Sequence, residues 1–317
     1  PQTRTYLFQT LDPLHIGTGG TRLGRVDNTV ARDPVTRLPK APGTGISGAV
    51  KDAYDLHTLV DAVGRVDPGR RCAGSQGCGK PGCRVCTLFG QAPAEESAAV
   101  SRRGLVSFRD AAMVAVPMAS MIGPVFLTTD AFARKLGYTG EQPSGLSLPN
   151  MAAPAAVKTL GGAKVNLGAF LFESPAGQTI NINHTTINEK LTFINGVSAP
   201  DIEKITERLA ACHAQVFPLL AETAMEVRTS VTIDPKTGAA EKNKLFTYEA
   251  VPAGAIFETD LNFLGGPYPA DAFGTPETAE TLFRDIQTYG LPYLAMTGMG
   301  GNVTRGFGRV RFLGFWK

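Results

Sequence analysis

Apolar and polar positions alternate along short stretches of this chain, and turn residues bound each stretch. On that pattern Thr5–Leu11, Leu105–Phe108, Ala112–Val116, Val231–Ile233 and Arg309–Phe315 read as strands. From Asp201 to Val216 the apolar residues Ile202, Ile205, Leu209, Cys212 and Val216 recur at three- and four-residue spacing. That spacing predicts a helix with Cys212 on its apolar face. Thr275-Pro276-Glu277 reads as an N-cap followed by Pro at the first helical position, opening a helix through Leu282 and Ile286 that stops before Gly290. Pro42 to Lys51 leads into another helix through Tyr54 and Leu56. Between Arg228 and Glu249, Val231 to Ile233 alternates, Asp234 to Gly238 turns and Leu245 to Tyr248 returns, which predicts a hairpin. No internal repeat is visible. Strands and helices alternating with long loops predict an α+β domain with insertions.

Two glycine-rich loops carry the first candidate chemistry. Met299 to Arg309 holds four glycines, Asn302, Arg305 and Arg309 just before a strand-like run, Val310 to Trp316. Glycine lets the backbone approach a ligand, and successive free N–H groups form an anion-binding concavity. Arginine adds a fork that matches phosphate. Gly300, Gly301, Arg305 and Arg309 are therefore candidate phosphate contacts; a tight hairpin with solvated arginines is the plainer alternative. The second loop, Pro13 to Asp27, follows the first strand and contains His15, Arg22 and Arg25. It lacks the Gly-Lys-Ser/Thr of a P-loop, and no helix opens at its end as a dinucleotide fingerprint requires. The Gly/Ser/Thr-rich helix start at 42–48, with Lys51 a turn later, offers further free N–H groups to an anion.

Asp27 stands out because a carboxylate at the end of a basic loop repels phosphate. Such a residue binds a divalent ion or handles protons; the alternative is an Asx-turn continued by Asn28. Asp33 is explained by its Asp-Pro turn. His15 is a candidate for RNA contact or proton transfer, with a structural role as the alternative. His57, His184 and His213 are scattered singles, read as surface or packing residues.

Cys72, Cys78, Cys83 and Cys86 fall within fifteen residues, and only Cys212 lies outside. Four thiolates satisfy tetrahedral zinc and leave no open position, so the expectation is a structural zinc knuckle within a Cys-rich insertion over 64–90. A pair of disulfides is the alternative, disfavoured where thiols stay reduced. Arg70, Arg71, Lys80 and Arg84 surround the cluster.

Composition sets limits without choosing a function. The 317 residues are 43% hydrophobic, enough for a sizeable core, with a net charge of +3. Residues 1–110 hold fifteen Lys/Arg against ten Asp/Glu, leaving the remainder slightly acidic. A basic N-terminal third beside a near-neutral rest concentrates the charge that could meet an anion in one part of the chain. No apolar run reaches membrane-spanning length and no charged-then-apolar leader is visible, so the expectation is a cytoplasmic protein with no membrane partner.

At this point the residues resemble a known family. The strand, then "LDPLHIGTGG", then "LGRVDNTVARDPVTRLPKAPGTGISGAVKDAY", resembles the start of the repeat-associated mysterious protein (RAMP) superfamily of CRISPR systems. Within it the chain is similar to the repeated backbone subunit of type III effector complexes, most like type III-B. "SFRDAAMVAVPMASMIGPVFLTTDAFARKL", "KVNLGAFLFE", "LFTYEAVPAG" and "GGNVTRGFGRV" extend the match nearly end to end in consistent order. The resemblance implies a single elaborated domain over 1–317. It would be a ferredoxin-like or RRM-like palm with an inserted zinc knuckle and a thumb β-hairpin at 227–249. It implies an RNA-guided, metal-dependent endoribonuclease that binds guide (CRISPR) RNA, assembles with copies of itself and other CRISPR effector subunits, and cuts the paired target RNA. The products would carry 2′,3′-cyclic phosphate and 5′-OH ends. The family's catalytic Asp falls at Asp27, with His15 and Glu249 as further candidates and a divalent cation such as Mg2+ as cofactor. The implied thumb wedges into the guide–target duplex. Ser47 departs from the pattern, since many relatives carry Lys there. A non-catalytic binding subunit and a guide-processing endoribonuclease of the same superfamily, with His15 as base, remain alternatives.

Overall fold

The computed structural model describes residues 2–19, 26–59, 72, 83–91, 101, 103–139, 146–149, 163–174, 179–180, 182, 184–264 and 279–317. The strands are β1 (Gln2–Thr10), β2 (Lys40–Ala41), β3 (Val106–Phe108), β4 (Ala111–Met118), β5 (Val125–Thr129), β6 (Leu146–Pro149), β7 (Ala163–Leu167), β8 (Phe170–Ser174), β9 (Thr179–Ile180) and β10 (Leu191–Phe193). They continue as β11 (Leu209–Cys212), β12 (Glu226–Ile233), β13 (Ala240–Ala250), β14 (Ile256–Phe263) and β15 (Val310–Trp316). Among these residues the chain is mixed α and β, built on an eleven-stranded sheet in the order β10-β15-β1-β14-β4-β5-β11-β6-β9, with β2 joining β4 and β3 joining β14.

At its centre β15, β1, β14 and β4 are antiparallel neighbours. Helix α1 (Gly43–Leu59) follows β1, and the helix Ala279–Tyr289 follows β14 and leads toward β15. Both faces of the sheet are covered, which is why Tyr6, Leu7 and Phe8 are all buried where simple alternation would expose one of them. Tyr6 and Phe8 pack with Ile46 and Val50 of α1 and with Leu282 and Phe283, while Leu7 and Leu313 pack on the other face with Ile187, Ile202 and Ile205. Phe8 stacks on Phe257 directly opposite in register, ring centroids 5.2 Å apart. Such pairs add about 0.5–1.5 kcal/mol beyond area burial. Arg4 lies 4.6 Å from the rings of both Phe283 and Phe315 and pairs with Glu280, tying the start of the sheet to the helix above it.

The predicted helix over Asp201–Val216 is corrected. The helix is Ala199–Thr206, opened by a Ser198–Asp201 capping box, and the next apolar residues form strand β11, parallel to β5. Leu209, Ala210, Ala211 and Cys212 are buried on both faces, and such a run cannot be told from a helix by periodicity. Cys212 is a core residue of this strand, and burial pushes its thiol up to about 12. The N-cap expected at Thr275–Glu277 lies outside the described residues. The hairpin forms as expected, β12 against β13, outside the large sheet. Asp234 makes its turn by accepting from Lys236 N at 2.8 Å and Thr237 Oγ1 at 3.1 Å, with Gly238 at φ +67°. Val231, Ile233, Leu245 and Phe246 are exposed on it.

Candidate functional site

The pairing of β1 with β15 brings the two glycine loops into contact. Leu11 N donates to Arg309 O at 2.8 Å, Gly308 N to Pro13 O at 2.9 Å and Gly301 N to His15 O at 2.8 Å. Gly300 has φ +83°, and a Cβ there would overlap the His15 carbonyl. One expected phosphate donor, the Gly301 N–H, is therefore spent on holding the loops together.

The first loop then runs beside the root of the hairpin. Asn28 bridges Tyr248 in parallel fashion; Asn28 N donates to Thr247 O at 3.1 Å and Glu249 N to Asn28 O at 2.8 Å. This side-by-side run positions Asp27. Its Oδ2 accepts from Thr247 N at 2.8 Å and Thr247 Oγ1 at 2.9 Å, while Asp27 N donates back to Thr247 Oγ1 at 2.9 Å. The Thr247 donors lower the carboxyl below its ordinary value, so Asp27 is an anion at neutral pH. Among the described residues, Oδ1 carries no hydrogen bond.

Two residues along, the buried Glu249 gathers three segments. Its Oε2 accepts from Val30 N at 2.9 Å, its Oε1 pairs with Arg32, and its backbone oxygen accepts from His15 Nδ1 at 2.6 Å. A carbonyl only accepts, so the His15 proton sits on Nδ1 and, in the neutral ring, Nε2 holds the lone pair. His15 is 6% exposed and edge-on to Tyr248, with Nε2 close beside Gly17, where a Cβ would come within 3.0 Å of it. A surface pocket of about 320 Å³ opens beside this cluster, lined in part by Thr18, Arg32, Arg37, Glu222 and Glu249.

The basic residues are less uniform than their sequence spacing implies. Arg305 is exposed, and its Nη1 reaches Ser230 Oγ on β12 at 3.3 Å. Arg309 is instead held in a fork by Asp12, at 2.6 and 2.9 Å. Each lowers the free energy of the other's charged form, so Asp12 shifts down and Arg309 up. The Lys51 Nζ donates to Gly90 O at 3.4 Å, and Gly90 N in turn donates to Cys86 O at 2.9 Å, next to the cysteine cluster. At the start of α1 the Gly43 N–H is taken by Asp110 Oδ1 at 2.9 Å, and Asp110 also pairs with Lys40. Gly45 and Gly48 remain open to an approaching group. Arg22 and Arg25 lie outside the described residues.

Cys72, Cys83 and Cys86 converge, their sulfurs all within 4.8 Å of one another and Cys72 Sγ 3.5 Å from Cys83 Sγ. Sulfurs at the corners of a tetrahedron with bonds of about 2.3 Å lie roughly 3.8 Å apart. This donor set could hold a metal such as zinc. Cys83 stands at the N-cap of the helix α2 (Arg84–Phe89), and Cys72 N donates to Asp55 Oδ2 of α1 at 2.8 Å. Cys78, the expected fourth ligand, lies outside the described residues. The roles of Arg32, Asp12 and Asp55 escaped the sequence reading. Arg32 looked like part of a turn, and nothing local marks a charge whose partner is more than two hundred residues away.

Comparison with known proteins shows which family and fold the chain shares. The family model described as "RAMP superfamily" matches residues 7–311. The chain is 25% identical over 255 residues to the CRISPR system Cmr endoribonuclease Cmr4 of Pyrococcus furiosus, covering 78% of this chain and 77% of that protein. It is 40% identical over 81 residues to the CRISPR system Cms endoribonuclease Csm3 of Methanothermobacter thermautotrophicus, 25% of this chain and 29% of that one, so this match spans less than a third of that relative. A chain in the cryo-EM structure of the type III-B Cmr-beta complex bound to cognate target RNA shares the fold, with TM-score 0.58, 15% identity and coverage of 99% of this chain and 97% of that one. No helix among the described residues is long and apolar enough to cross a membrane.

Proposed function

The chain belongs to the RAMP superfamily, and from that premise we propose that it is a backbone subunit of a type III CRISPR ribonucleoprotein, of the III-B kind, that binds guide RNA and cuts the target RNA paired to it. The central strand order β15-β1-β14-β4, with a helix after β1 and after β14, supports reading the core as a ferredoxin-like palm. The exposed hairpin β12–β13 is the candidate thumb. Guide RNA, target RNA, further copies of this chain and other effector subunits are the proposed partners, in the cytoplasm.

One observation carries the cleavage reading: Thr247 holds the Asp27 carboxylate at the root of an exposed, apolar-sided hairpin, where the two glycine loops also meet. A duplex wedged open by that hairpin presents its splayed nucleotide there. In the proposed reaction the ribose 2′-oxygen bonds to the adjacent phosphorus, the P–O5′ bond breaks and the 5′-oxygen takes a proton. That leaves a 2′,3′-cyclic phosphate and a 5′-OH. A carboxylate already lowered by its donors is a weak base, so Asp27 serves better as a metal-binding group. A divalent cation such as Mg2+ held by Asp27 would supply charge stabilisation at phosphorus. His15 Nε2, which carries the lone pair in this tautomer, is the proposed proton acceptor, and Glu249 orients that ring through its backbone oxygen. Zinc, held by Cys72, Cys83, Cys86 and Cys78, would be structural. DNA lacks the 2′-OH and survives.

Asp27→Ala in the reconstituted complex is expected to slow target cleavage by about 100-fold or more, while guide and target binding stay within a few-fold. A gel cleavage assay beside a binding titration measures both. Cutting at the unsubstituted rate would show Asp27 to be structural and favour a non-catalytic subunit. A guide-processing endoribonuclease is the reading favoured by the His15 tautomer alone. Metal-independent cutting of repeat RNA by the isolated chain, lost in His15→Ala, would establish it instead.

A further inference from the structure

Arg32 lies five residues beyond Asp27 on the same segment, and both terminal nitrogens of its guanidinium are engaged by the protein. It pairs with Glu249 Oε1 on β13 and with Glu222 on the helix Phe217–Thr223, at 2.5 Å to Oε2, and it donates to Arg37 O at 3.1 Å. Its side chain is 12% exposed and that of Glu249 9%, so this is a largely buried pair at the edge of the pocket. Arg37 is in the left-handed region at φ 65°, closing a turn in which Asp33 Oδ1 accepts from Val35 N and from Thr36 N. Each bond joins the Asp27 segment to a different element: the hairpin, the helix below it, and the loop leading to β2. Glu249 then passes the constraint back, through Val30 N to the segment and through its backbone to Asn28 and His15.

We propose that Arg32 is a positioning residue for RNA cleavage, setting through Glu249 the angle at which the Asp27 segment and the hairpin root meet. The proposal rests on Asp27 acting in cleavage. A planar fork suits the task, because it engages two carboxylates and a carbonyl in one fixed geometry, which an ammonium cannot reproduce. Without it, Glu249 keeps one donor, Val30 N, and its buried charge draws water or shifts the strand. The reacting groups sit a few residues away, and misplacement by an ångström costs about 100-fold in rate. With its terminal nitrogens already engaged by Glu249, Glu222 and Arg37, Arg32 acts through the protein, and target affinity is expected to change little.

The test uses the reconstituted ribonucleoprotein with guide and saturating target, comparing Arg32→Ala, Arg32→Lys, Glu249→Gln and Arg32→Ala/Glu249→Gln with Asp27→Ala. Arg32→Ala is expected to cut about 100-fold more slowly in a single turnover with target affinity within about three-fold. Arg32→Lys, which retains the charge on Glu249, should recover part of that loss. The double variant should be no slower than Arg32→Ala, because the two residues act as one unit. If Arg32→Ala fails to assemble, the lysine variant and Glu249→Gln decide, since both leave the chain a partner for the remaining group. Full-rate cleavage by Arg32→Ala, or by both of those milder variants, while Asp27→Ala is inactive overturns the positioning role and leaves the cleavage reading intact. Full-rate cleavage by Asp27→Ala overturns both.

Discussion

Residues of one chemical type take opposite roles in this chain according to their neighbours. Asp33 is absorbed in its turn by three donors from Val35 and Thr36, as the Asp-Pro sequence implies, whereas Asp27 faces a threonine on a strand 220 residues away. Arg305 is exposed, Arg309 is forked on Asp12, and Arg32 is locked beneath the hairpin. The glycines separate in the same way. Gly300 and Gly306 both have positive φ, at +83° and +81°, but only Gly300 abuts the His15 carbonyl, while Gly306 faces open space. Alanine at Gly306 should cost about 1 kcal/mol for its backbone conformation alone. Alanine at Gly300 should cost ~1–3 kcal/mol more, because it also breaks the seam between the loops. Denaturant or thermal unfolding of the two variants side by side measures this. Equal losses would show that the seam contributes nothing.

At the scale of elements, α2 and the hairpin are too small to stand without support. α2 has six residues, well below the length at which an isolated helix persists in water. Val85, Cys86 and Leu88 bury against the core, Arg84 pairs with Asp285 at 2.8 Å, and the sulfurs of Cys83 and Cys86 face that of Cys72. A bound zinc would close this unit and contribute folding energy to it. Elemental analysis is expected to find one zinc per chain, lost on Cys83→Ser/Cys86→Ser, with proteolysis then appearing near 72–91 while the main unfolding transition persists. Native protein without zinc and with these thiols freely titratable would sink the assignment. The hairpin gains its support differently, from the Asp27–Val30 segment bonded along its root, and just beyond that segment Leu245 and Phe246 are exposed.

For the whole molecule, the question is how a chain of net charge +3 would hold the RNA proposed as its partner. Near the glycine loops and the start of α1, three basic residues are already paired in place: Arg309 with Asp12, Arg32 with Glu249 and Glu222, and Lys40 with Asp110, whereas Arg305 makes no ion pair among the described residues. Each Lys or Arg that truly contacts a phosphate releases counterions and contributes about 0.7–0.9 to the slope of log affinity against log salt. Arg305→Ala should therefore lower that slope by close to one contact's worth and weaken binding alike for every guide sequence. Arg309→Ala should lower it less, because Asp12 already holds that charge, and Asp12→Ala should strengthen binding. Filter or gel binding across a salt series reads all three. An unchanged slope in Arg305→Ala/Arg309→Ala would show that the C-terminal loop is a structural hairpin only.

Much of this protein was legible in its sequence because the signals are local. Alternation marked β15 and the hairpin, the Pro42-Gly43 start marked α1, and the cysteine spacing marked a cluster whose three described members do converge. The family resemblance, carried by short motifs in a consistent order, gave both Asp27 and Glu249 as catalytic candidates, and the structure sets their segments side by side. Only the fold decided the rest, and in each case the reason is distance along the chain. The helix read over 201–216 breaks into a helix and a strand because Leu209–Cys212 is claimed by β5, more than eighty residues earlier. The Gly301 N–H and Arg309 lose their freedom to partners at the other end of the chain, His15 and Asp12, brought there by the pairing of β1 with β15. Whether a charge is free for RNA or spent on the protein depends on what the sheet sets beside it, and periodicity within a few turns of chain carries no record of that.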